Sequence, residues 1–358
     1  IIKSGFYKKT NFSINATQNL TDKLQTNFKA NYIHTGSNRT QQGSNTAGLY
    51  LGLLRTPADF NQSDYIGNHH ASNGTVTPFR QRAYRRYRGD SDNAIYNNPL
   101  WTINEQQSTA KVNRLIGTGS MSYQWNDNIS TILRGGVDFY VDTRVYFFPW
   151  YTAGSARRYG LINDETFNNQ EINGDILTNF NYELTEKLNT NIVVGFGLND
   201  RRRKRVFSSA DNFIANFRSP LDAAELAPKE NISAETARTK RRNIRFYGTA
   251  NFDYADQLIL QIGGAYEKHS VLPKSDNGFF YPSAELGWTF SKIMENTDLL
   301  SFGKFRLAYG QVANVPLAHR EQTVFEVGTF SSFSDTVNLE DFGGGFQLDE
   351  RLGNSNLK

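Results

Sequence analysis

Long runs in which every second side chain is apolar flank a short polar turn, and this pattern repeats along the chain. Around Leu20-Thr-Asp-Lys-Leu24, Phe12, Ile14 and Ala16 alternate with Asn11, Ser13, Asn15 and Thr17 on the way in. On the way out, Leu24, Phe28, Ala30 and Tyr32 alternate with Gln25, Asn27, Lys29 and Asn31. Nearly the same phrase returns at Leu184-Thr-Glu-Lys-Leu188, between Ile172, Ile176, Phe180 and Tyr182 on one side and Ile192, Val194, Phe196 and Leu198 on the other. Looser copies stand at Trp125-Asn-Asp-Asn-Ile129 and Tyr254-Ala-Asp-Gln-Leu258, again between alternating runs. A period of two means strands, and acids or small polar residues make tight turns by bonding their own backbone. Each site is therefore a hairpin of long antiparallel strands. Two further strands are expected at 280–291 and 301–312, joined by Ile293–Leu300.

The other connections, 37–106, 148–166, 207–236 and 313 onward, are long and irregular. Short turns at one end and long loops at the other are the organisation of an outer-membrane β-barrel. Aromatic residues gather near strand ends, at Tyr123, Trp125, Tyr182, Tyr254, Trp288 and Phe290, where interfacial girdles lie. A soluble sandwich also alternates, but with shorter strands and turns about every 8–12 residues. No apolar run reaches the roughly 18–20 residues of a spanning helix, which leaves a barrel open. The chain has no cysteine, which excludes a disulfide framework and thiolate metal sites. The expected fold is all-β: residues 1–358 form part of one large antiparallel transmembrane barrel, and Ile1 and Lys358 read as interior points of a longer protein.

A basic side chain facing the bilayer midplane costs about 2–4 kcal/mol, so Lys29, Arg134, Asp138 and Asp175 are expected inside and the apolar series outside. Near the short turns, Ile132, Leu177, Val193 and Ile259 are apolar yet share the inward parity. They point to a plug-facing wall, or to ordinary tolerance of a few apolar residues. The basic runs Arg201–Arg205 and Arg238–Arg242 lie just past the far membrane edge. By parity Arg202, Lys204, Lys240 and Arg242 face outward, among lipopolysaccharide phosphates or as a solvated rim.

Enzymatic signatures are missing. His69-His70 has no third ligand at metal spacing, and no phosphate loop, nucleophile elbow or paired-carboxylate pattern occurs. No catalytic residue, metal or cofactor is expected. The run Arg80-Gln-Arg-Ala-Tyr-Arg-Arg-Tyr-Arg88 has the chemistry of nucleic-acid grooves, but in the longest outer loop it suits partner or ligand contact, and no nucleic acid is expected. The ligand or lid candidates are Trp101 and Tyr87 for stacking and Arg85 and Arg86 for carboxylates. Trp150 and Tyr151 join them, with an aromatic belt as their alternative role. Trp101 has an alternative too: its phrase folds the loop on itself.

Several phrases, in order, resemble the SusC/RagA-type TonB-linked outer-membrane transporters. They are Leu53-Leu-Arg-Thr-Pro-Ala-Asp-Phe-Asn61, Asn97-Asn-Pro-Leu-Trp-Thr-Ile-Asn-Glu105, Tyr281-Pro-Ser-Ala-Glu-Leu-Gly-Trp-Thr-Phe290 and Gly303-Lys-Phe-Arg-Leu-Ala-Tyr-Gly-Gln-Val-Ala-Asn314. Arg351-Leu-Gly-Asn-Ser-Asn-Leu-Lys358 is similar to a phrase of the broader TonB-dependent receptors. The resemblance implies a barrel of about 22 strands, of which this chain supplies about ten. The amino-terminal plug and the last strands would lie outside it. It further implies a SusD-like surface lipoprotein as lid, energy from the TonB complex through the plug segment, and an oligosaccharide or peptide as cargo. A passive porin, or a barrel subunit of a surface-binding or secretion complex, is the alternative.

Overall fold

The computed structural model describes residues 5–40, 48–70, 73–84, 96–154, 157–220, 223–274, 277–293, 300–327, 329–332, 335–338 and 345–354. Strands β1 (Phe6–Thr21) and β2 (Leu24–Asn38) form the first hairpin. The long connection after it holds α1 (Leu49–Leu54), the hairpin β3 (Ile66–His70) and β4 (Val76–Gln81), and α2 (Pro99–Asn104). Next come β5 (Gln107–Gln124), β6 (Ile129–Trp150), β7 (Tyr159–Thr185) and β8 (Leu188–Asp211). Helix α3 (Ala223–Leu226) precedes β9 (Ile232–Tyr254), β10 (Leu258–His269), β11 (Gly278–Trp288) and β12 (Phe305–Gly310). These form one ten-stranded antiparallel sheet in the order β1-β2-β5-β6-β7-β8-β9-β10-β11-β12, an up-and-down meander. Beyond it, β13 (Phe325–Val327), β14 (Thr329–Ser332), β15 (Asp335–Asn338) and β16 (Phe346–Leu348) pair as 13 with 16 and 14 with 15.

One local device explains the repeated turn phrases. A side-chain oxygen at the start of the turn accepts backbone N–H groups two or three residues on. Thr21 Oγ1 accepts from Lys23 at 3.2 Å and Leu24 at 3.0 Å. Thr185 Oγ1 accepts from Lys187 at 3.3 Å. Asn126 Oδ1 accepts from Asn128 at 3.0 Å and Ile129 at 2.9 Å. The fourth turn closes differently, with Ala255 and Asp256 both at positive φ (56° and 51°).

Register carries the alternation across the sheet. Phe12 lies opposite Tyr32, Tyr32 opposite Leu115, and Leu115 opposite Phe139. Farther along, Ile176, Phe196, Phe246, Tyr266 and Phe280 form a second apolar row. Much of this face is exposed: Phe12 is 68%, Val194 54%, Phe246 54% and Leu307 62% accessible. A soluble protein does not leave so broad an apolar face in water. The opposite face carries Lys29, Arg134, Asp138 and Asp175 together, as the alternation requires. The dry core lies elsewhere, at the long-loop end, where Phe147, Ile162, Ala210, Phe213, Leu226 and Ala227 pack together.

Two of the expected loops are shorter than the sequence pattern implies. The connection expected at 148–166 shortens because pairing between β6 and β7 runs on to Trp150 opposite Tyr159. Likewise β8 continues to Asp211 and β9 starts at Ile232, which shortens the connection expected at 207–236. Above the membrane both faces of a strand are wet, so the apolar alternation stops. Backbone ladders and polar cross-strand pairs continue, among them Arg205–Glu165 and Ser209–Asn163 (2.8 Å).

Candidate transport wall and outer rim

The polar face is an ordered network rather than a bare hydrophilic surface. Asp138 lies directly opposite Glu171 on β7, a like-charge pair that would destabilise the ladder if left alone. Each carboxylate is neutralised from its other side. Arg114 on β5 donates to Asp138 through Nε at 2.8 Å and Nη2 at 2.5 Å. Glu171 accepts from Asn199 at 3.0 Å and pairs with Arg201 at 3.4 Å. Arg134 reaches Asp175 across the β6–β7 ladder at 3.4 Å. Asn191 and Asn199 donate to Asn181 and Asn173 on the neighbouring strand.

Toward the long-loop end, this face forms a depression of about 370 Å³ lined by Tyr140, Asp142, Arg144, Phe167, Asn169, Arg203 and Arg205. Arg144 grips Asp142 Oδ2 through Nε at 3.1 Å and Nη2 at 2.6 Å and lies over the Phe167 ring at 4.8 Å. That hydrogen bond to Asp142 holds the Arg144 pKa above its ordinary value. The second oxygen, Asp142 Oδ1, is buried without a hydrogen-bond partner among the described residues. Arg203 donates to Asn169 at 3.1 Å and has no carboxylate partner among the described residues. The exposed Arg203 fork beside the Phe167 ring suits a polar solute. The sequence reading took only the outward half of the basic run Arg201–Arg205. The same parity sends Arg201, Arg203 and Arg205 to this inner face.

The apolar inner-wall residues also occupy the polar face near the short turns. Ile132 lies opposite Leu177, Val193 opposite Asn179 and Ile259 opposite Asp253. All four are half-buried.

The phrase Asn97–Glu105 proves to be the hub of the first loop. Asn98 caps α2, accepting from the Leu100 N–H at 2.9 Å, and Pro99 fills the first helical turn, where no N–H is needed. Gln81 bridges Asn97 (2.9 Å), the Tyr151 carbonyl (2.7 Å) and the Asn98 N–H (2.6 Å). Trp101 is 1% exposed and donates to Thr152 Oγ1 at 3.3 Å. It offers no ring face to a ligand, so its folding role is the one this geometry fits. Glu105 accepts from Tyr65 at 3.0 Å and pairs with Arg218, joining the first loop to the third. Tyr151 has positive φ, and Arg80 lies over its ring at 4.9 Å; burial pushes the phenol pKa up. Trp150 packs edge-on against Tyr151 and Tyr159, each at 6.1 Å. Arg85, Arg86 and Tyr87 lie outside the described residues. Among the described residues, no three metal-ligating side chains come together.

On the apolar side, the rim residues Arg202 and Lys240 are register partners, as are Asp200 and Arg242. Arg202 Nε bonds Asp200 Oδ1 at 2.7 Å, and Arg242 Nε bonds Asp200 Oδ2. These two hydrogen bonds, Arg202's first, lower the Asp200 pKa to about 2.

A two-faced meander with short turns, long outer loops and an aromatic rim at the turn end, where Tyr123 and Trp125 meet at 4.7 Å, defines the wall of an outer-membrane β-barrel. No helix of the described residues is long and apolar enough to cross a membrane. The chain belongs to the TonB-dependent receptor-like β-barrel family, whose model matches residues 58–358. Family members are transporters of the outer membrane rather than enzymes. Among solved structures, the chain is similar to that of a RagAB peptide transporter, with a TM-score of 0.76 at 12% identity over 99% of this chain. The RagAB peptide importer in its closed-closed and open-open states matches at TM-scores of 0.72 and 0.74, each at 11% identity. The chain spans 36–37% of the length of those structures. A comparison with curated protein sequences returns no match.

Proposed function

We propose that this chain is the lumen wall and part of the outer mouth of an active importer, which takes up an oligosaccharide or peptide together with a SusD-like surface lipoprotein. The observation that carries this reading is the ordered polar face, whose hydrogen-bond network runs from Arg134 and Asp175 through Asp138 and Glu171 to the depression at Asp142, Arg144 and Arg203. A cargo entering from the long-loop side meets that depression, and Arg203, held at Nε by Asn169 but with no carboxylate partner among the described residues, presents its terminal N–H groups to a carboxylate or a sugar hydroxyl. Lower down, Ile132, Leu177, Val193 and Ile259 give an apolar strip against which a plug rests. TonB supplies the energy by acting on that plug. Trp150 and Tyr151 brace the mouth, where Arg85, Arg86 and Tyr87 are the further candidates for lid or cargo contact.

Growth of the source cells on peptides or oligosaccharides as sole nutrient provides the test. Deleting the gene abolishes growth on one of these nutrient classes, and so does removing TonB or the neighbouring lipoprotein. Arg203→Gln in the intact receptor lowers uptake at limiting cargo by about tenfold or more, consistent with one charged hydrogen bond of about 1.5–3 kcal/mol. Uptake that continues without TonB would point to a passive porin and end this reading.

A further inference from the structure

The outward face changes character abruptly beyond the membrane. On β8 the outward residues Thr190, Ile192, Val194, Phe196 and Leu198 span nine positions, and the next three are Asp200, Arg202 and Lys204. On β9 the outward series from Tyr254 back to Ile244 spans eleven, followed by Arg242, Lys240 and Arg238. On β10 it runs from Leu258 to Tyr266, followed by Lys268, which is the register partner of Ile244. A tilted strand crosses the hydrocarbon in about 9–11 residues. All three strands therefore turn basic at the height where the hydrocarbon ends and headgroups begin.

We infer that Arg202, Lys204, Arg238, Lys240, Arg242 and Lys268 form a binding site for the phosphate groups of outer-leaflet lipid. The patch holds six cations and one carboxylate, Asp200, on the same face. Asp200 is already shared by Arg202 and Arg242. Lys204, Arg238 and Lys240 have no carboxylate partner among the described residues and are exposed. Packing six cations on three adjacent strands is unfavourable in the absence of anions, so the patch calls for a multivalent anionic partner. Four of the six, Arg202, Lys204, Arg238 and Lys240, line a basin of about 480 Å³ together with Phe139, Gln170 and His319. An amphiphile fits this arrangement, with acyl chains on the Phe139 and Leu198 side and phosphates among the guanidinium and ammonium groups. Arginine forks bind phosphate in two parallel bonds, and lysine adds point charge. Asp200 then acts as a spacer that fixes the two arginines at the lower edge. The inference is independent of cargo and of TonB.

Native mass spectrometry of the intact receptor in non-ionic detergent tests it, with bis-phosphorylated lipid A and the same lipid dephosphorylated as probes. Phosphorylated lipid A should remain bound through detergent removal, and the dephosphorylated form should not. Lys204→Gln with Lys240→Gln removes two charges without orphaning an acid. At about fivefold per basic residue, it should weaken retention some 25-fold. Asp200→Asn should do the reverse, because it frees Arg202 and Arg242 for phosphate. A merely structural ion pair would not strengthen lipid binding when broken. Equal retention of both lipids, or no response to the lysine pair in a folded receptor, would overturn the assignment. So would a second protein chain seated on this face in place of lipid and lost with the same substitutions.

Discussion

Ala255 holds a left-handed backbone conformation (φ 56°) that costs a residue with a Cβ about 1–2 kcal/mol. Asparagine tolerates this region, because its side chain bonds the local backbone. Ala255→Asn should therefore raise stability by about 0.5–1 kcal/mol, seen as a higher urea midpoint for the receptor in detergent. A lowered midpoint would mean that the turn is built differently. Trp101 makes the opposite case. It is buried among Thr152 and the Asn97–Gln81 network, and truncation of a core tryptophan costs about 3–5 kcal/mol. Trp101→Ala should open the first loop to protease within 48–106 while the strands stay protected. Sequence alone could not place that ring inside or outside. A loop has no periodicity to assign a face, and tryptophan serves binding and packing equally well. Asp200 behaves differently again. Its lowered pKa keeps it ionised across neutral and mildly acidic pH, so its stabilising pairs are present above the ordinary carboxylate range and are lost only as pH falls through about 2.

Between strands, the decisive contacts are those where a large side chain lies over a glycine. Gly195 on β8 faces Tyr247 on β9 in register, and an added Cβ would overlap the tyrosine ring. Gly197 is covered in the same way by Asp175 of β7. Both glycines are buried on a face that is otherwise open. Gly195→Ala should push Tyr247 off the wall and cost about 1–3 kcal/mol, the usual range for overpacking. The pair Gly195→Ala with Tyr247→Ala should recover part of that loss, and additive losses would show that the two positions are not coupled. At this scale the strands, turns and faces were legible because hydrocarbon enforces one apolar side chain in two. Where the strands rise clear of the membrane that constraint ends, and the upper parts of β6 to β9 were misread as loop. The inner depression at Asp142 and Arg203 was hidden for a related reason. A run such as Arg201–Arg205 reads as one basic block until the pleat divides it between two faces.

The whole sheet has two free edges, β1 and β12, each exposed along its length. An unpaired strand edge cannot face hydrocarbon, since every unmet backbone group there costs several kcal/mol. Wrapping ten strands onto themselves would bring β12, with six residues, against β1, with sixteen, and would leave most of the longer edge unpaired. The polar face would also lose the depth that its side-chain network needs. Closure therefore requires further strands between β12 and β1, in keeping with the matched structures, of which this chain covers little more than a third. The prediction separates cleanly from one of mere instability. Refolded alone into detergent micelles, residues 1–358 should fail to give the compact, heat-modifiable band of a closed barrel on gel electrophoresis and should associate through their edges. Supplied in trans with the remaining strands, the same chain should acquire that band and resist protease along β5 to β9. A compact, protease-resistant monomer formed by this chain unaided would mean that the sheet closes on itself, and the polar face would then line a narrow, filled barrel instead of a transport path.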